Sequence, residues 1–259
     1  MAATILKTHV IALVGAISFL LLNGPLPWLF GPLTSCLITA LLGFNLKVYK
    51  PLGDGMRTIL GVAVGAAVTP AFFYSLPDLA LTLLIVPIFT VLIGLVGIIY
   101  FKKIYEYDFY TAYFSSMPGG VQDMIVFAEE AGANVRSVSL IHATRILVIV
   151  VILPIILSST WDVNLTNPPG MPLQEFELSQ LMLLFISAVL GWWIAKKLGL
   201  FGSSILGPLI LAAIFSLIGL LNNRPPAEII WAAQYFIAIG IGVKYVGISA
   251  IEILSLIHI

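Results

Sequence analysis

The chain has 259 residues, of which 60% are hydrophobic and only 9% are charged. A soluble domain carries roughly 25% charged residues, so the composition excludes an ordinary soluble protein. Twelve basic and 12 acidic residues give a net charge of +0, which argues against nucleic acid as a partner because DNA binding needs a basic face. Recurring apolar runs predict an all-α fold, a polytopic helical membrane protein with about 8–9 membrane segments.

The predicted helices follow one another from near the N-terminus. The first segment could pass for a signal peptide, but no small-residue cleavage site follows it, so we interpret it as a membrane helix. Lysine pairs follow segments two, four and seven, whereas the 159–176 loop has acidic residues and no Lys or Arg. The positive-inside rule then predicts a multi-pass membrane protein with the lysine loops in the cytoplasm and the acidic loop outside. The hydrophobic segments lie near residues 5–22, 27–44, 56–73, 78–100, 107–132, 136–158, 177–195, 201–221 and 227–247.

The fifth segment is interrupted by Pro118-Gly119-Gly120. Each piece is too short to cross a hydrocarbon layer of about 30 Å at about 1.5 Å per residue. Both flanks, at Lys103 and Arg136, are basic and prefer the cytoplasm. The pattern therefore predicts a broken segment, either a re-entrant hairpin that turns at the Pro-Gly-Gly or two thin half-crossings.

An internal repeat is visible at a spacing of 176 residues. Gly31–Gly43 and Gly207–Gly219 share six of thirteen positions, and Gly65 then matches Gly242 at a spacing one residue longer. The predicted topology runs the two copies in opposite directions, as in transporters with inverted repeats. The repeat predicts a first membrane repeat at 1–158, an extracytoplasmic loop at 159–176 and an incomplete second repeat at 177–253. Residues 254–259 match the translation of a transposon end, so we expect a non-native tail on a truncated chain.

Four motifs together resemble the AbrB-type integral membrane family, also called membrane AbrB duplication and once labelled an ammonia monooxygenase. They are the Pro-Gly-Gly-x-x-(Glu/Asp)-Met motif at 118–124, the acidic helix at 128–135, the cationic helix at 140–145 and Arg57-x-x-x-Gly61-x-x-x-Gly65. The resemblance spans about residues 10–250. It implies two copies of a membrane domain, a relation to inverted-repeat antiporters and anion transporters, and a multi-pass protein of the bacterial plasma (inner) membrane. The chain departs from the family in lacking most of the second copy, and in having Gln122-Asp123 where Ser-Glu is more usual.

The candidate substrate-binding residues surround the break. Polar interruptions at membrane mid-depth are typical of transporter sites, although a structural kink is the alternative. His142 and Arg145 are one turn apart and share a helix face. Ionisable residues inside a membrane usually pair, and the candidate partners are Asp123, Glu129 and Glu130. The alternative there is a structural ion pair. The predicted set is Pro118, Gly119, Gly120, Gln122, Asp123, His142 and Arg145.

Four further residues are weaker candidates, and three of them have a structural alternative. Arg57 could be a topological anchor, Thr69-Pro70 a helix end, and Lys244 a cation that reaches the membrane surface. Glu130 is the fourth candidate. Gly43, Gly61 and Gly65 are predicted to permit close helix packing.

The function predicted from these residues is secondary transport of a small, anionic organic solute, coupled to protons or sodium. The alternative is a membrane sensor or regulatory protein that affects gene expression indirectly. Oxygenase activity is disfavoured because His9, His142 and His258 are far apart in sequence and form no ligand motif. We therefore predict no enzyme activity, metal or cofactor. The expected partners are the lipid bilayer, a solute and a second copy of the chain, without nucleic acid.

Overall fold

A computed structural model describes residues 2–74, 76–119, 121–161, 170–200 and 202–248. The described part is helical and contains no strand, which confirms the predicted fold class of a helical membrane protein. Four helical stretches in it are long and apolar enough to cross a membrane: Ala2–Leu21, Leu79–Ile104, Leu178–Lys197 and Ala227–Tyr245. The α-helices are α1 Ala2–Leu21, α2 Pro27–Leu41, α3 Lys50–Gly65, α4 Pro70–Tyr74, α5 Leu76–Ile104, α6 Phe109–Ser116, α7 Val121–Glu130, α8 Val135–Trp161, α9 Leu178–Lys197, α10 Ser203–Leu217 and α11 Ala227–Gly242, and two 3-10 turns lie at Leu173–Glu175 and Val243–Tyr245.

One predicted segment is divided in the structure. The run near 56–73 was expected to be a single helix that ends at Thr69-Pro70, but α3 ends at Gly65 and Pro70 begins α4. A proline disfavours helical backbone at the preceding residue and is well placed in a helix's first turn, so Thr69 lies between two helices. The prediction of a break was right, and its position was wrong by four residues.

The chain forms two compact units, residues 2–73 with 154–248 and residues 74–153. In the first unit, α1 packs on α2 and α9 packs on α10, and each pair meets through glycines. A Cβ atom on Gly31 would collide with the backbone of Gly15, and one on Gly207 would collide with the backbone of Gly191. The two glycine pairs are 176 residues apart, so the same helix hairpin occurs twice.

The helices that follow each hairpin repeat this correspondence. In each copy a glycine of the third helix faces a leucine carbonyl and a small side chain of the other copy's second helix. Residues with left-handed backbone also recur at a spacing of 176. The contacting sets are Gly65 with Leu209 and Ala212, and Gly242 with Leu33 and Cys36. The left-handed pairs are Asn23 and Gly199, Leu26 and Gly202, and Gly43 and Gly219.

The helix directions show that the two copies are inverted. α3 runs parallel to α10, with Gly61 against Ile205 and Gly65 against Leu209, and α11 runs parallel to α2 through the matching contacts. The connection at 42–49 is short, so α3 begins on the side where α2 ends. α11 ends on that same side, because Lys244, just after its end, is repelled by the charge of Arg57 near the start of α3. Equivalent helices therefore run in opposite directions. The predicted domain limits at 158, 177 and 253 stay predictions, and residues 254–259 lie outside the described part.

Gly43 does not serve the role predicted for it. Gly61 and Gly65 permit close packing as expected, but a Cβ atom on Gly43 would meet nothing within 4 Å. Gly43 instead has φ +85°, and its equivalent Gly219 has φ +75°. Glycine adopts this conformation readily just after a helix ends, so Gly43 terminates α2.

Two glycines of α11 provide a matched test of the inter-repeat packing. A Cβ atom on Gly242 would lie 2.7 Å from the Cβ of Cys36 and 3.2 Å from the carbonyl of Leu33, whereas one on Gly240 would meet nothing within 4 Å. We expect Gly242→Ala to destabilise the protein by about 1–3 kcal/mol through overpacking. Gly240→Ala should stabilise it by up to about 1 kcal/mol, since alanine favours the helix. Thermal unfolding in detergent measures both; equal melting temperatures would contradict the packing.

Candidate functional site at the helix break

The second unit contains the break. The end of the broken segment lies next to its start. Asp108 caps α6 by accepting a hydrogen bond from the backbone N–H of Thr111 at 3.1 Å. The hydroxyl oxygen of Thr111 then accepts from the backbone N–H of Asn134, beyond α7, at 2.9 Å. The two flanks of the break therefore meet, and α6 and α7 form a hairpin. Both alternatives left open by the sequence place the two flanks on one side, so the choice between a re-entrant turn and two thin half-crossings stays a prediction.

The turn of the hairpin contacts the two long helices beside it at positions ten residues from one end of each helix. Met117 packs against Gly94 of α5, where a Cβ atom would come within 2.8 Å of its sulfur, and it accepts a hydrogen bond from Arg145 of α8. Gly94 lies ten residues before the end of α5 and Arg145 ten residues after the start of α8. At 1.5 Å per residue each is about 15 Å from its helix end, half of a hydrocarbon layer of about 30 Å.

Pro118 creates a specific hydrogen-bond deficit at this depth. In a continuous helix the carbonyl of Phe114 would accept from the N–H of residue 118, but proline has none. His142 supplies the missing donor, with Nε2 2.7 Å from the Phe114 oxygen. Arg145 Nη1 donates to the Met117 carbonyl at 3.2 Å, where the helix has ended. Since an unpaired carbonyl in hydrocarbon costs several kcal/mol, these side chains stabilise the break.

The two side chains also fix each other's state. Arg145 Nη2 lies 2.7 Å from His142 Nδ1. A guanidinium can only donate, so Nδ1 accepts and the imidazole proton lies on Nε2, the nitrogen that faces Phe114. His142 is fully buried. It is therefore held as the neutral Nε2–H tautomer, and a second proton on Nδ1 would remove its contact with Arg145.

Of the three carboxylates predicted as partners of His142 and Arg145, Asp123 has its side chain outside the described residues. Within the described residues, Glu129 and Glu130 are exposed and make no ion pair with Arg145. The carbonyl acceptors of Phe114 and Met117 were not predicted, because backbone carbonyls released by a helix break are not visible as charges in a sequence. The spacing of four between Phe114 and Pro118 is the signal that could have revealed one of them.

The structure places the remaining residues of this set only in part. Gly119 follows the break, and a Cβ atom there would lie 2.9 Å from Met124 Cγ. Gly120, which was predicted to line the site, lies outside the described residues, as do the side chains of Gln122 and Asp123. The backbone puts Gln122 and Asp123 in the first turn of α7.

Two weaker candidates come together in the first unit. Arg57 donates to Asp54 Oδ1 at 3.0 Å and lies close enough to Lys244 to repel its charge. Lys244 is exposed and, within the described residues, makes no ion pair. Both cations adjoin the crossing of α3 and α11, the helices that end at the repeat-equivalent positions Gly65 and Gly242. Thr69 lies beyond the first of these ends and has no described contact with either cation.

These features define a polytopic helical membrane protein with a helical hairpin at the break and an inverted pair of three-helix motifs. The chain belongs to the AbrB family, whose model, described as "Transition state regulatory protein AbrB", matches residues 28–259. Neither the curated proteins nor the solved structures give a match. Within the described residues, no three His, Cys, Asp or Glu side chains are grouped so that they could hold a metal ion.

Arg145 should be needed for stability, apart from any role in binding. Arg145→Leu leaves the Met117 carbonyl and His142 Nδ1 without their donor. We expect the free energy of unfolding to fall by roughly 1–3 kcal/mol. The stability of Arg145→Lys should lie between those of the unsubstituted protein and Arg145→Leu, since one ammonium cannot reach both acceptors. The control is Arg224→Leu, which removes the same charge at an exposed position. Thermal unfolding in detergent is the measurement; a melting temperature for Arg145→Leu equal to the control's would contradict the network.

Proposed function

We propose that this protein is a secondary transporter of a small organic anion in a bacterial inner membrane. The observation that carries the proposal is the position of Arg145. Its guanidinium lies beside a helix break at about half the depth of the membrane, held by the Met117 carbonyl and by His142. In transporters with inverted repeats, anionic groups bind near mid-depth at the N-termini of broken helices, and Arg145 would add a positive charge at such a break.

The charge balance at the break supports an anionic ligand. A guanidinium has five N–H donors, and two of those on Arg145 have described acceptors, neither of them a carboxylate. A cation inside a membrane protein is normally compensated by an opposite charge. The first turn of α7 adds free backbone N–H groups, which attract anions. A carboxylate or phosphate solute satisfies both requirements.

Asp123 is the proposed coupling group. Its position in the first turn of α7 puts a titratable carboxyl on the helix that begins at the break. A proton or sodium ion bound there would reduce the repulsion between Asp123 and an anionic solute. The solute and the coupling ion would then bind together, as cotransport requires.

The cations of the first unit support the same class of solute. Arg57 and Lys244 repel each other, and Asp54 compensates only one of them among the described residues. Such a pair is less costly when an anion binds between its members. Each unit, taken by itself, therefore contains positive charge that would attract an anion.

The alternative is a membrane regulator that binds the anion without moving it. The description of the family model, which names a regulatory protein, favours it. Both functions need a ligand site, so binding alone does not distinguish them. Transport against a gradient does.

Proteoliposomes provide the test. We expect uptake of one or more radiolabelled small carboxylates when a proton or sodium gradient is imposed. Asp123→Asn should abolish the response to the gradient, and Lys244→Met should raise KM roughly tenfold or more, the effect of losing a charge-assisted hydrogen bond. Lys103→Met removes an exposed lysine and should leave uptake unchanged.

The outcomes separate the candidate functions. Binding of a carboxylate that stabilises the protein, with no uptake under any gradient, would contradict transport and support the regulator. Uptake that persists unchanged in Asp123→Asn would remove that residue from coupling.

A further inference from the structure

A groove in the first unit is formed by residues that belong to neither cationic centre. Its volume is about 360 Å³, in the range of small-ligand sites. Aromatic and aliphatic side chains form most of its wall, with one carboxylate among them. The lining residues are Leu13 of α1, Trp28 of α2, and Glu228, Trp231, Ala232, Tyr235 and Phe236 of α11.

The lining follows one face of α11 from a charged end to an apolar end. Glu228 is in the first turn, and Trp231 and Tyr235 follow at helical spacing. At about 1.5 Å per residue, Tyr235 lies roughly 10 Å deeper along the helix than Glu228. The candidate membrane span begins at Ala227, so Glu228 lies at the membrane surface and the rings lie in the interfacial layer.

The walls of the groove are held by their own contacts. Tyr235 donates its hydroxyl hydrogen to the carbonyl of His9 at 3.0 Å, and its ring stacks on the His9 ring with centroids 5.9 Å apart. The Trp28 ring meets Tyr235 edge to face at 6.4 Å. These contacts involve three helices, so the groove is formed before any ligand arrives.

The carboxylate at the upper end retains binding capacity. Glu228 Oε2 accepts a hydrogen bond from the backbone N–H of Leu173 at 3.0 Å, and the side chain is exposed. Oε1 has no described partner. A single negative charge above a set of aromatic rings selects a positively charged group, because ring faces attract cations as well.

We propose that this groove binds a phospholipid whose headgroup has an ammonium group, such as phosphatidylethanolamine. The ammonium pairs with Glu228, and the part of a hydrocarbon chain nearest the headgroup packs along Trp231 and Tyr235 toward Leu13. The match is one of charge and depth, because the groove is acidic at the surface and apolar below, and the lipid has an ammonium at its outer end and hydrocarbon chains below its phosphate. A headgroup without an ammonium, such as phosphatidylglycerol, would be repelled by Glu228.

Native mass spectrometry of the purified protein in detergent tests the proposal. With equal amounts of phosphatidylethanolamine and phosphatidylglycerol, we expect the ethanolamine lipid to be retained preferentially. Glu228→Gln should lower that preference by roughly threefold to tenfold, the effect of losing an interfacial charge pair. The glutamine oxygen can still accept from Leu173, so the loop contact is kept. Glu175→Gln removes an exposed acid of the same loop region and should change nothing.

Four results would overturn the proposal. The first is equal retention of the two lipids by the unsubstituted protein. The second is a preference that survives Glu228→Gln, and the third is one that Glu175→Gln lowers equally. Displacement of the lipid by soluble phosphoethanolamine at a similar concentration is the fourth, since it would assign the groove to a soluble amine.

Discussion

The second unit is organised around a carbonyl group that Pro118 deprives of its donor. At mid-membrane depth no water is available to replace that donor, so the structure must provide one. His142 does so, and Arg145 does the same for the next carbonyl released by the break. Arg145 also donates to His142. The helix break, the position of the cation and the tautomer of the histidine therefore depend on one another. The same groups that stabilise the fold therefore create the charge proposed to attract a solute.

The first unit depends on close helix crossings, and the same glycine contact forms them in both repeats. Its helices cross so closely that backbone contacts backbone, which only glycine permits. Gly15 with Gly31 and Gly191 with Gly207 form the same contact in two hairpins that run in opposite directions. Inversion places the start of α3 near the end of α11, and this brings Arg57 close to Lys244. The convergence of these cations is thus a consequence of the repeat rather than of local sequence.

Much of this architecture could be predicted from the chain. Apolar runs located the helices, Pro118 with the glycines located the break, and the one-turn spacing of His142 and Arg145 put them on one face. Their partners could not be predicted, because a carbonyl becomes available only through the geometry of the break. Gly43 was misassigned for a related reason: packing glycines and helix-ending glycines look alike until φ is known. The groove at Glu228 was missed, although its residues recur at helical spacing, since a polar residue beside aromatics is common at membrane surfaces.

The central claim is that the segment around Pro118 enters the membrane and returns to the same side. Cysteine accessibility tests it directly. Cys36 is first replaced by alanine, the residue at its repeat-equivalent position 212, and single cysteines are then introduced at the exposed positions Lys103 and Glu130 on the two flanks. In sealed vesicles of known orientation, a membrane-impermeant maleimide should label both positions from the same side. Labelling from opposite sides would mean that the segment crosses the membrane, and it would contradict the re-entrant hairpin.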